Sequence, residues 1–329
     1  MIRKELRKDP VSGDWIVIAP GRAKRPHEHI LKKPKRKASA VKGCPFENPG
    51  VNGHLPVLSY PNNERWRVQI IQNKYPAFTH EGGEVTREQH GPFSVLPAVG
   101  YHDVVVTRDH KNNFAHLPKG EANQLFQAFR DRYLMFSEHK SIEYALMFQN
   151  WGPTAGASIY HPHYQMIAIP VIPPDVDHSL EGSSRFYEKH KQCVHCAMID
   201  WERKEKKRII YENKEVVAFA PFVSRSPFEI RIFPKKHLPY FEDSDSRIFD
   251  SAVETLQKSL HSIEKKLNDP DYNFFIHTAP IRNKNDFQHY HWHIEILPKV
   301  TLRAGFELGT GVEINVVDPD EAAKLLRVR

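Results

Sequence analysis

The sequence contains few cysteines, and it contains no long hydrophobic segment. Its three cysteines among 329 residues are Cys44, Cys193 and Cys196. Three thiols cannot all pair, and two of them form a Cys-x-x-Cys turn, so the sequence argues against a disulfide framework. No apolar run approaches the roughly 20 residues of a membrane helix. The opening MIRKELRKDP has no apolar stretch after its charges, so we expect no secretory signal, no membrane partner and a cytoplasmic location.

Acidic residues are outnumbered by basic ones, 40 to 47, which gives a formal net charge of +7. The excess is most visible in HILKKPKRKASAVK, residues 29–42. A basic arm of this kind can bind nucleic acid, but no recognisable nucleic-acid module surrounds it. We therefore expect a solvated loop and no nucleic-acid partner. A moderate positive balance also suits a protein that binds phosphorylated small molecules.

Two histidines flank one proline in SIYHPHYQMIAIP, and a glutamine follows. The apolar residues that come next predict a strand, and side chains on a strand alternate between its faces. His161, His163 and Gln165 should therefore point the same way, with Pro162 between the histidines on the opposite face. Such a row suits a metal ligand, a nucleophile or a phosphate clamp. The alternative is a polar strand face whose histidines are merely hydrogen-bonded.

The two halves of the chain repeat one plan. Each half contains, in order, a turn with cysteine, two strands, an amphipathic helix and two further strands, the last of which opens with a His-x-His segment. The members of the first half are GCPFENPG, RVQIIQNKYPAF, HDVVVTRDH, KGEANQLFQAFRDRYLMFSEHK, YALMFQN and HPHYQMIAIP; those of the second are CVHC, EVVAFAPFVS, FEIRIFPKKH, SRIFDSAVETLQKSLHSIEKKL, YNFFIHTAP and HYHWHIEILP. The strand-end histidine precedes the His-x-His segment by 51 residues in one half and 54 in the other.

This repeat predicts an α+β fold of two tandem units, each a mainly antiparallel sheet backed by a helix. The first unit would comprise residues 1–175 and carry the His-Pro-His segment. The second would comprise residues 176–329 and carry the Cys-x-x-Cys turn. Proline and serine punctuate residues 170–184, which therefore read as a linker at the seam.

The second half offers a complete set of zinc ligands. Cys193 and Cys196 have the spacing of a zinc knuckle, and the repeat supplies His237 and His291 for the other two corners of a tetrahedron. We expect a structural Zn²⁺ there. The alternatives are a redox pair, which lacks a thioredoxin-like βαβ context, or two buried thiols.

The first half offers Cys44, Glu47, His110 and His161 at matching places. A carboxylate can ligate zinc, so this set is chemically reasonable, although a decayed site would look the same. If His161 turns a nitrogen to a metal, it becomes a fixed scaffold and His163 faces the substrate. A neutral imidazole held in place can attack phosphorus and form a phosphohistidine-type intermediate. Gln165 on the same face can donate to the phosphate oxygens.

Several segments together resemble the galactose-1-phosphate uridylyltransferases, the transferase branch of the histidine-triad superfamily. The similarity runs nearly end to end, and its most specific part is NWGPTAGASIYHPHYQ, which contains the family's His-Pro-His-x-Gln pattern. The other segments are RKDPVSGDWIVIAPGRAKRP, CPFENPG, QNKYPAF, HWHIEILP and AGFELGTG.

The resemblance implies a ping-pong transfer of a nucleotidyl group. His163 would attack the α-phosphorus of UDP-glucose, and glucose 1-phosphate would leave. Galactose 1-phosphate would then take the uridylyl group from His163. The family fold is a two-unit α+β protein with an open half-barrel sheet. It implies a homodimer whose active site lies near the subunit interface.

The resemblance also implies roles for individual residues. Gln165 and Ser158 would hold phosphate oxygens, with Arg22 and Arg25 nearby. The other expected substrate contacts are Asn73 by the nucleoside, Asn150 by the active-site loop and Glu307 on a sugar hydroxyl.

The sequence departs from the family pattern at two positions and in its tail. Glu47 stands where many members have cysteine, and Tyr164 stands where the best-known members have glycine. On a strand, Tyr164 should point away from His163. The tail FELGTGVEIN and the Cys193/Cys196 site are closer to a plant and prokaryotic subgroup that includes an ADP-glucose phosphorylase.

Three other functions stay open at this point. The first is an adenylyl-transferring phosphorylase that acts on ADP-glucose or a dinucleoside polyphosphate through the same histidine. The second is a histidine-triad hydrolase that uses His289, His291 and His293. The third is a zinc-bearing nucleic-acid-binding protein that uses the basic loop.

Overall fold

A computed structural model of the chain describes residues 4–24, 39–50, 56–79 and 85–328. The strands within these ranges are β1 (Glu5–Lys8), β2 (Trp15–Ile18), β3 (Pro56–Tyr60), β4 (Val68–Gln72), β5 (Glu88–His90), β6 (Phe93–Val95), β7 (Tyr101–Thr107), β8 (Tyr144–Trp151), β9 (His163–Ile169), β10 (Ile209–Glu212), β11 (Val216–Phe219), β12 (Ile230–Pro234), β13 (Tyr272–His277), β14 (His293–Pro298) and β15 (Ile314–Asn315). The α-helices are α1 (Lys119–Ser137), α2 (Pro174–His190), α3 (Val194–Glu205), α4 (Ser246–Lys266), α5 (Gly305–Thr310) and α6 (Pro319–Leu326).

Ten of these strands form one sheet with an internal two-fold plan. Their order is β10-β11-β12-β14-β13-β8-β9-β7-β4-β3. Read from either edge, the order of the first unit matches that of the second, and the halves meet where β8 pairs antiparallel with β13. Within the described residues the sheet is open, since β10 and β3 lie at its edges. The α+β class with two tandem units is confirmed.

The two long helices cover one face of this sheet, each behind its own half. Helix α1 packs on β3, β4 and β8, whereas α4 packs on β10, β11 and β12. Both start where the sequence predicts. The Asp245 side chain accepts from the N–H of Ile248 at the start of α4, and Lys265 and Lys266 lie in the last turn, where cations favour the helix dipole. The two helices and the sheet share one hydrophobic core.

Alternation along β9 decides which side chains enter that core. Tyr164 and Met166 are fully buried in it, and the Tyr164 ring lies 5.6 Å from that of Phe129 on α1. His163 and Gln165 therefore project from the opposite face, away from α1. This confirms that Tyr164 points away from His163. Strand β9 begins at His163, so Pro162 stands just before the first ladder position.

The prediction of a linker at residues 170–184 is wrong, because α2 begins at Pro174. Proline is tolerated at the first position of a helix, and Asp175 and Asp177 in the first turn favour the helix dipole. Gly182 is a packing residue in this helix. A Cβ at Gly182 would overlap the carbonyl oxygen of Val11. The division into residues 1–175 and 176–329 stays a prediction, and its boundary falls inside α2.

The start of the chain pairs with its end. β2 lies between β1 and β15 in a three-stranded sheet, and Arg225 of the second unit donates to Ser12 and Asp14. No helix in the described ranges is long and apolar enough to span a membrane.

Candidate active site

The His163 imidazole is oriented by its own backbone. Its Nδ1 lies 2.9 Å from the carbonyl oxygen of His161, to which it donates. A neutral ring that donates from Nδ1 carries its lone pair on Nε2. The side chain is 8% exposed, and burial holds its pKa below the usual value. The structure thus presents a neutral imidazole whose Nε2 is available as a nucleophile.

Apolar groups surround this ring. The Phe46 ring centroid lies 5.1 Å from that of His163. Val104 and Val106 on β7 pair with Gln165 and His163 on β9, so they share the same face. Both valines are buried with Phe46 in a small hydrophobic cluster. A nucleophile in these surroundings is poorly hydrated, which favours attack on phosphorus over protonation by water.

Gln165 and Asn73 meet at a third residue, His102. The Nε2 atom of His102 lies 2.9 Å from Oε1 of Gln165 and 3.0 Å from Nδ2 of Asn73. The structure therefore brings together the predicted phosphate-holding amide and the predicted nucleoside contact. His102 was missed by the sequence reasoning. The available signal was a histidine two residues before Val104 on a predicted strand, which puts it on the same face as Val104 and Val106.

The loop between β8 and β9 is fastened by the second unit. Asn150 lies two residues after Phe148, which pairs with Gln165, so its amide is on the His163 face. Asn273 on β13 donates from Nδ2 to Oδ1 of Asn150 at 2.8 Å and to the carbonyl of Ala155 at 2.9 Å. The bond to Oδ1 leaves the Asn150 NH₂ group toward the loop, 3.4 Å from where a Cβ at Gly156 would lie. Asn273 was also missed from sequence.

The remaining predicted contacts lie around or beyond this loop. Ser158 is exposed in the loop itself. Arg22 lies in the 3₁₀ helix Pro20–Lys24 after β2, and the contacts of the described residues do not connect it to His163. Arg25 lies outside the described residues. Glu307 lies on α5, where its carboxylate accepts from the N–H of Ala304 at 3.1 Å, and it lines a cavity of the second unit.

The structure brings the four residues of the first predicted metal set together. One donor atom each from Cys44, Glu47, His110 and His161 lies within 4.8 Å of all the others. The Nδ1 atom of His110 is 2.5 Å from Glu47 Oε1 and 3.2 Å from Nδ1 of His161. Cys44 Sγ is 3.6 Å from the same His161 nitrogen. Tetrahedral zinc would hold two nitrogens about 3.3 Å apart and a nitrogen and a sulfur about 3.6 Å apart.

The tautomers of this set also fit a cation. His161 donates from Nε2 to the carbonyl of Thr107 at 2.8 Å, and His110 donates from Nε2 to Ser39 at 3.0 Å. In neutral rings both Nδ1 atoms then carry lone pairs that face each other. Such lone pairs repel unless a cation or a proton lies between them.

The second predicted set, Cys193, Cys196, His237 and His291, converges in the same way. Cys193 occupies the N-cap position of α3, and Cys196 lies in the first turn of that helix. The Sγ atom of Cys196 is 3.4 Å from Nδ1 of His237 and 3.5 Å from Nδ1 of His291. A hydrogen bond from Cys196, with others from His237 and His291, holds the pKa of the Cys193 thiol well below its usual value. All three cysteines of the chain are unbridged, which fits ligands better than disulfides.

A third group occupies the place in the second unit that His163 and Gln165 have in the first. It consists of His277, His293 and Glu295, whose donor atoms lie within 4.8 Å of one another. It lines the cavity of about 440 Å³ that also contains Glu307. His289 is not a member and instead lies 3.3 Å from the carbonyl of Leu180 on α2. The geometry therefore argues against a hydrolase centred on His289, His291 and His293.

Comparisons with known proteins show the family to which the chain belongs. A family model described as a domain of unknown function (DUF4921) matches residues 64–327. The chain belongs to this family. The DUF4921 chain is 35% identical over 328 residues to an ADP-glucose phosphorylase of Arabidopsis thaliana, covering 98% of this chain and 92% of the relative. It is 29% identical to a galactose-1-phosphate uridylyltransferase of Thermotoga maritima, covering 98% of both chains.

Solved structures agree with these relatives. A crystal structure of an ADP-glucose phosphorylase from Arabidopsis thaliana with bound ADP-glucose has a TM-score of 0.86 and 32% identity, and the match covers 99% of both chains. The DUF4921 chain is thus a nucleotidyltransferase of the group that contains the galactose-1-phosphate uridylyltransferases and ADP-glucose phosphorylases. The resemblance expected from sequence is confirmed at this level.

Proposed function

We propose that the chain transfers the nucleotidyl group of a nucleoside diphosphate glucose through a covalent intermediate on His163. The single observation that carries the proposal is the bond from Nδ1 of His163 to the His161 carbonyl. It commits the remaining lone pair to Nε2, on the face of the sheet opposite α1, beside Gln165 and Asn150.

Two displacements at one phosphorus complete the cycle. In the first, the Nε2 lone pair forms a bond to the α-phosphorus, the bond from that phosphorus to the bridging oxygen breaks, and glucose 1-phosphate leaves with the electron pair. In the second, an oxygen of the acceptor attacks the same phosphorus and the P–N bond breaks. His163 thereby regains its lone pair.

The NH₂ groups of Gln165 and Asn150 would donate to the α-phosphate oxygens as negative charge accumulates on them. Ser158 in the flanking loop and Arg22 and Arg25 near the start of the chain are proposed as further phosphate contacts. Asn73 is proposed as a nucleoside contact because it touches His102 beside Gln165.

Both cysteine–histidine sets are proposed as Zn²⁺ sites. Cys44, Glu47, His110 and His161 would hold the first, and Cys193, Cys196, His237 and His291 the second. Zinc in these closed four-ligand sets would supply structural rigidity. In the first set, that rigidity fixes the strand entry at His161, two residues before the nucleophile.

ADP-glucose is the proposed donor, with inorganic phosphate as the acceptor and ADP as the second product. The greater likeness to the Arabidopsis phosphorylase supports this choice, both in sequence and in structure. The second candidate is the transfer expected from the sequence, from UDP-glucose to galactose 1-phosphate, which the similarity to the Thermotoga uridylyltransferase supports. A homodimer remains part of the proposal. Within a single chain, Glu307 lines the cavity that contains His293 and not His163. The expected sugar contact of Glu307 would therefore be made at the His163 site of a partner chain.

Intact-mass spectrometry after incubation with ADP-glucose or UDP-glucose, without an acceptor, tests this function. We expect an adenylyl adduct from ADP-glucose that disappears when phosphate is added. A uridylyl adduct alone, discharged by galactose 1-phosphate, would replace the first candidate with the second. If neither donor gives an adduct, the covalent mechanism is wrong.

His163→Ala should form no adduct while it retains its metal content and its thermal unfolding. The matched control is His293→Phe, which changes the counterpart histidine of the second unit. A planar ring of similar size preserves the packing of His293 against Phe233, whose centroids are 4.8 Å apart. This control should form the adduct, and an adduct in His163→Ala would refute the assignment of the nucleophile.

A further inference from the structure

We propose that His102 is a positioning residue, which holds the carboxamide of Gln165 with its oxygen turned inward and its NH₂ group turned toward the transferred phosphate. The inference rests on the proposed function, since it concerns the same phosphate site. His102 lies on β7, and its side chain is on the same face as Val104 and Val106. Because Val104 pairs with Gln165, His102 reaches that amide diagonally across the two strands.

The backbone N–H of Ala77 fixes the tautomer of His102. It donates to Nδ1 of His102 at 3.1 Å. A backbone N–H can only donate, so Nδ1 bears no proton, and the neutral ring must carry its proton on Nε2. The His102 side chain is 9% exposed, so its proton is directed to protein groups.

The Nε2 proton of His102 has one suitable acceptor among its two neighbours. Oε1 of Gln165 lies at 2.9 Å. Nδ2 of Asn73 lies at 3.0 Å but is itself a donor, and the Asn73 oxygen accepts from the N–H of Tyr75 at 3.0 Å. His102 therefore donates to the Gln165 oxygen. The opposite end of that amide, the NH₂ group, is left for the side on which His163 lies.

A glutamine amide has two orientations of similar shape and opposite chemistry. With the oxygen bound to His102, the NH₂ group can donate to a phosphate oxygen. In the reversed orientation the Gln165 carbonyl would face the phosphate and repel it. His102 disfavours the reversed form because, with Asn73 already presenting a donor, the N–H of His102 would then have no acceptor at either neighbour. The charge on the reacting phosphate thus meets a donor already in place.

Two substitutions distinguish the two hydrogen bonds of His102, the one that Nε2 donates to Gln165 and the one that Nδ1 accepts from Ala77. His102→Asn keeps an oxygen near the position of Nδ1, where it can accept from Ala77, and removes the donor to Gln165. His102→Gln places an amide NH₂ group near the position of Nε2 and so keeps that donor. The measurement is the single-turnover rate of adduct formation at saturating ADP-glucose, or UDP-glucose if that donor labels the wild-type protein. Thermal unfolding and metal content are recorded for each variant.

We expect His102→Asn to slow adduct formation roughly 10- to 100-fold, less than the about 100- to 1,000-fold effect of deleting a donor that stabilises the transition state. The donor concentration at half-saturation should change far less than the rate. His102→Gln should recover most of the rate. If His102 acted only through its packing, His102→Gln would not recover the rate, because glutamine lacks the shape of the imidazole ring.

A double substitution with Gln165→Leu completes the test. If His102 acts through Gln165, His102→Asn should not slow the Gln165→Leu protein further, because there is no amide left to orient. The inference is overturned if His102→Asn is as fast as wild type, or if its effect multiplies with that of Gln165→Leu. These failures are distinct from failure of the proposed function, in which the wild-type protein forms no adduct or His163→Ala still forms one.

Discussion

Two histidines only two residues apart are held as opposite tautomers, and a backbone carbonyl decides each case. His161 uses Nε2 to bond Thr107 and keeps Nδ1 for the ligand cluster. His163 uses Nδ1 to bond the His161 carbonyl and keeps Nε2 for the open face. The proposed division of roles, with His161 as a scaffold and His163 as the nucleophile, therefore rests on which ring nitrogen bonds a carbonyl.

Substitution of Glu47 tests whether the first set of residues binds a metal. Glu47 contacts both His110 and His161, at 2.5 and 3.4 Å. We predict that Glu47→Ala lowers the metal content by about one equivalent per chain, because a four-ligand site loses an anionic ligand. Glu47→Cys, which restores a ligand of the kind found at Cys44, should keep the metal. The measurement is metal analysis of the purified protein.

The matched variant for the other set is Cys196→Ser, which should remove one equivalent independently of Glu47. Metal content that stays unchanged in Glu47→Ala would contradict the assignment of Glu47 as a ligand of the first set.

At the scale of elements, the active-site loop depends on a strand from the other unit. Thr154 donates to Oδ2 of Asp271 from both its backbone N–H, at 2.9 Å, and its hydroxyl, at 2.6 Å. Gly152 approaches the same carboxylate so closely that a Cβ there would overlap it. With Asn273 bound to Asn150, the residues around the start of β13 fix the loop that precedes His163.

Asp271→Ala should therefore slow adduct formation without touching the nucleophile. We expect a roughly 10- to 100-fold lower rate, since small displacements of positioned groups have effects of that size. Amide hydrogen exchange should rise in residues 152–158, and metal content should stay constant. Asp271→Asn, which keeps an oxygen for Thr154, is the milder control. Equal rates in wild type and Asp271→Ala would show that the loop is positioned by other contacts.

Helix α2 shows how an element can be hidden in its sequence. Glycine, serine and proline in residues 170–184 resemble a linker when only composition is considered. In the fold, Gly182 is required by the close approach of Val11, a residue about 170 positions earlier in the chain. Single-sequence patterns carry no information about such a contact.

Over the whole molecule, one sheet joins two units whose chemistry has diverged. The first unit places an amide, Gln165, beside its strand histidine. The second places a carboxylate, Glu295, at the matching position, with His277 3.5 Å away. A carboxylate repels phosphate and an amide NH₂ group attracts it, so the proposed transfer belongs to the first unit.

Because β8 and β13 pair across the units, loss of metal from either set should affect the entire fold. We predict that chelation lowers the melting temperature by about 10 °C or more, since several kcal/mol would be lost at roughly 2–4 °C per kcal/mol. Added Zn²⁺ should restore it. The measurement is calorimetry of the protein with and without chelator, and an unchanged melting temperature would contradict structural roles for both sets.

The sequence by itself determined the repeat, the two long helices, the strand carrying His163 and the membership of both cysteine–histidine sets. These follow from local periodicity and from the recurrence of one pattern in both halves. Only the tertiary structure decided the tautomers of His161 and His163, the contact of His102 with Gln165, the support of the loop by Asp271 and Asn273, and the helical state of α2. The bond from His163 to the His161 carbonyl depends on local side-chain and backbone angles, and the other features depend on the distance between residues remote in the chain; residue order alone specifies neither.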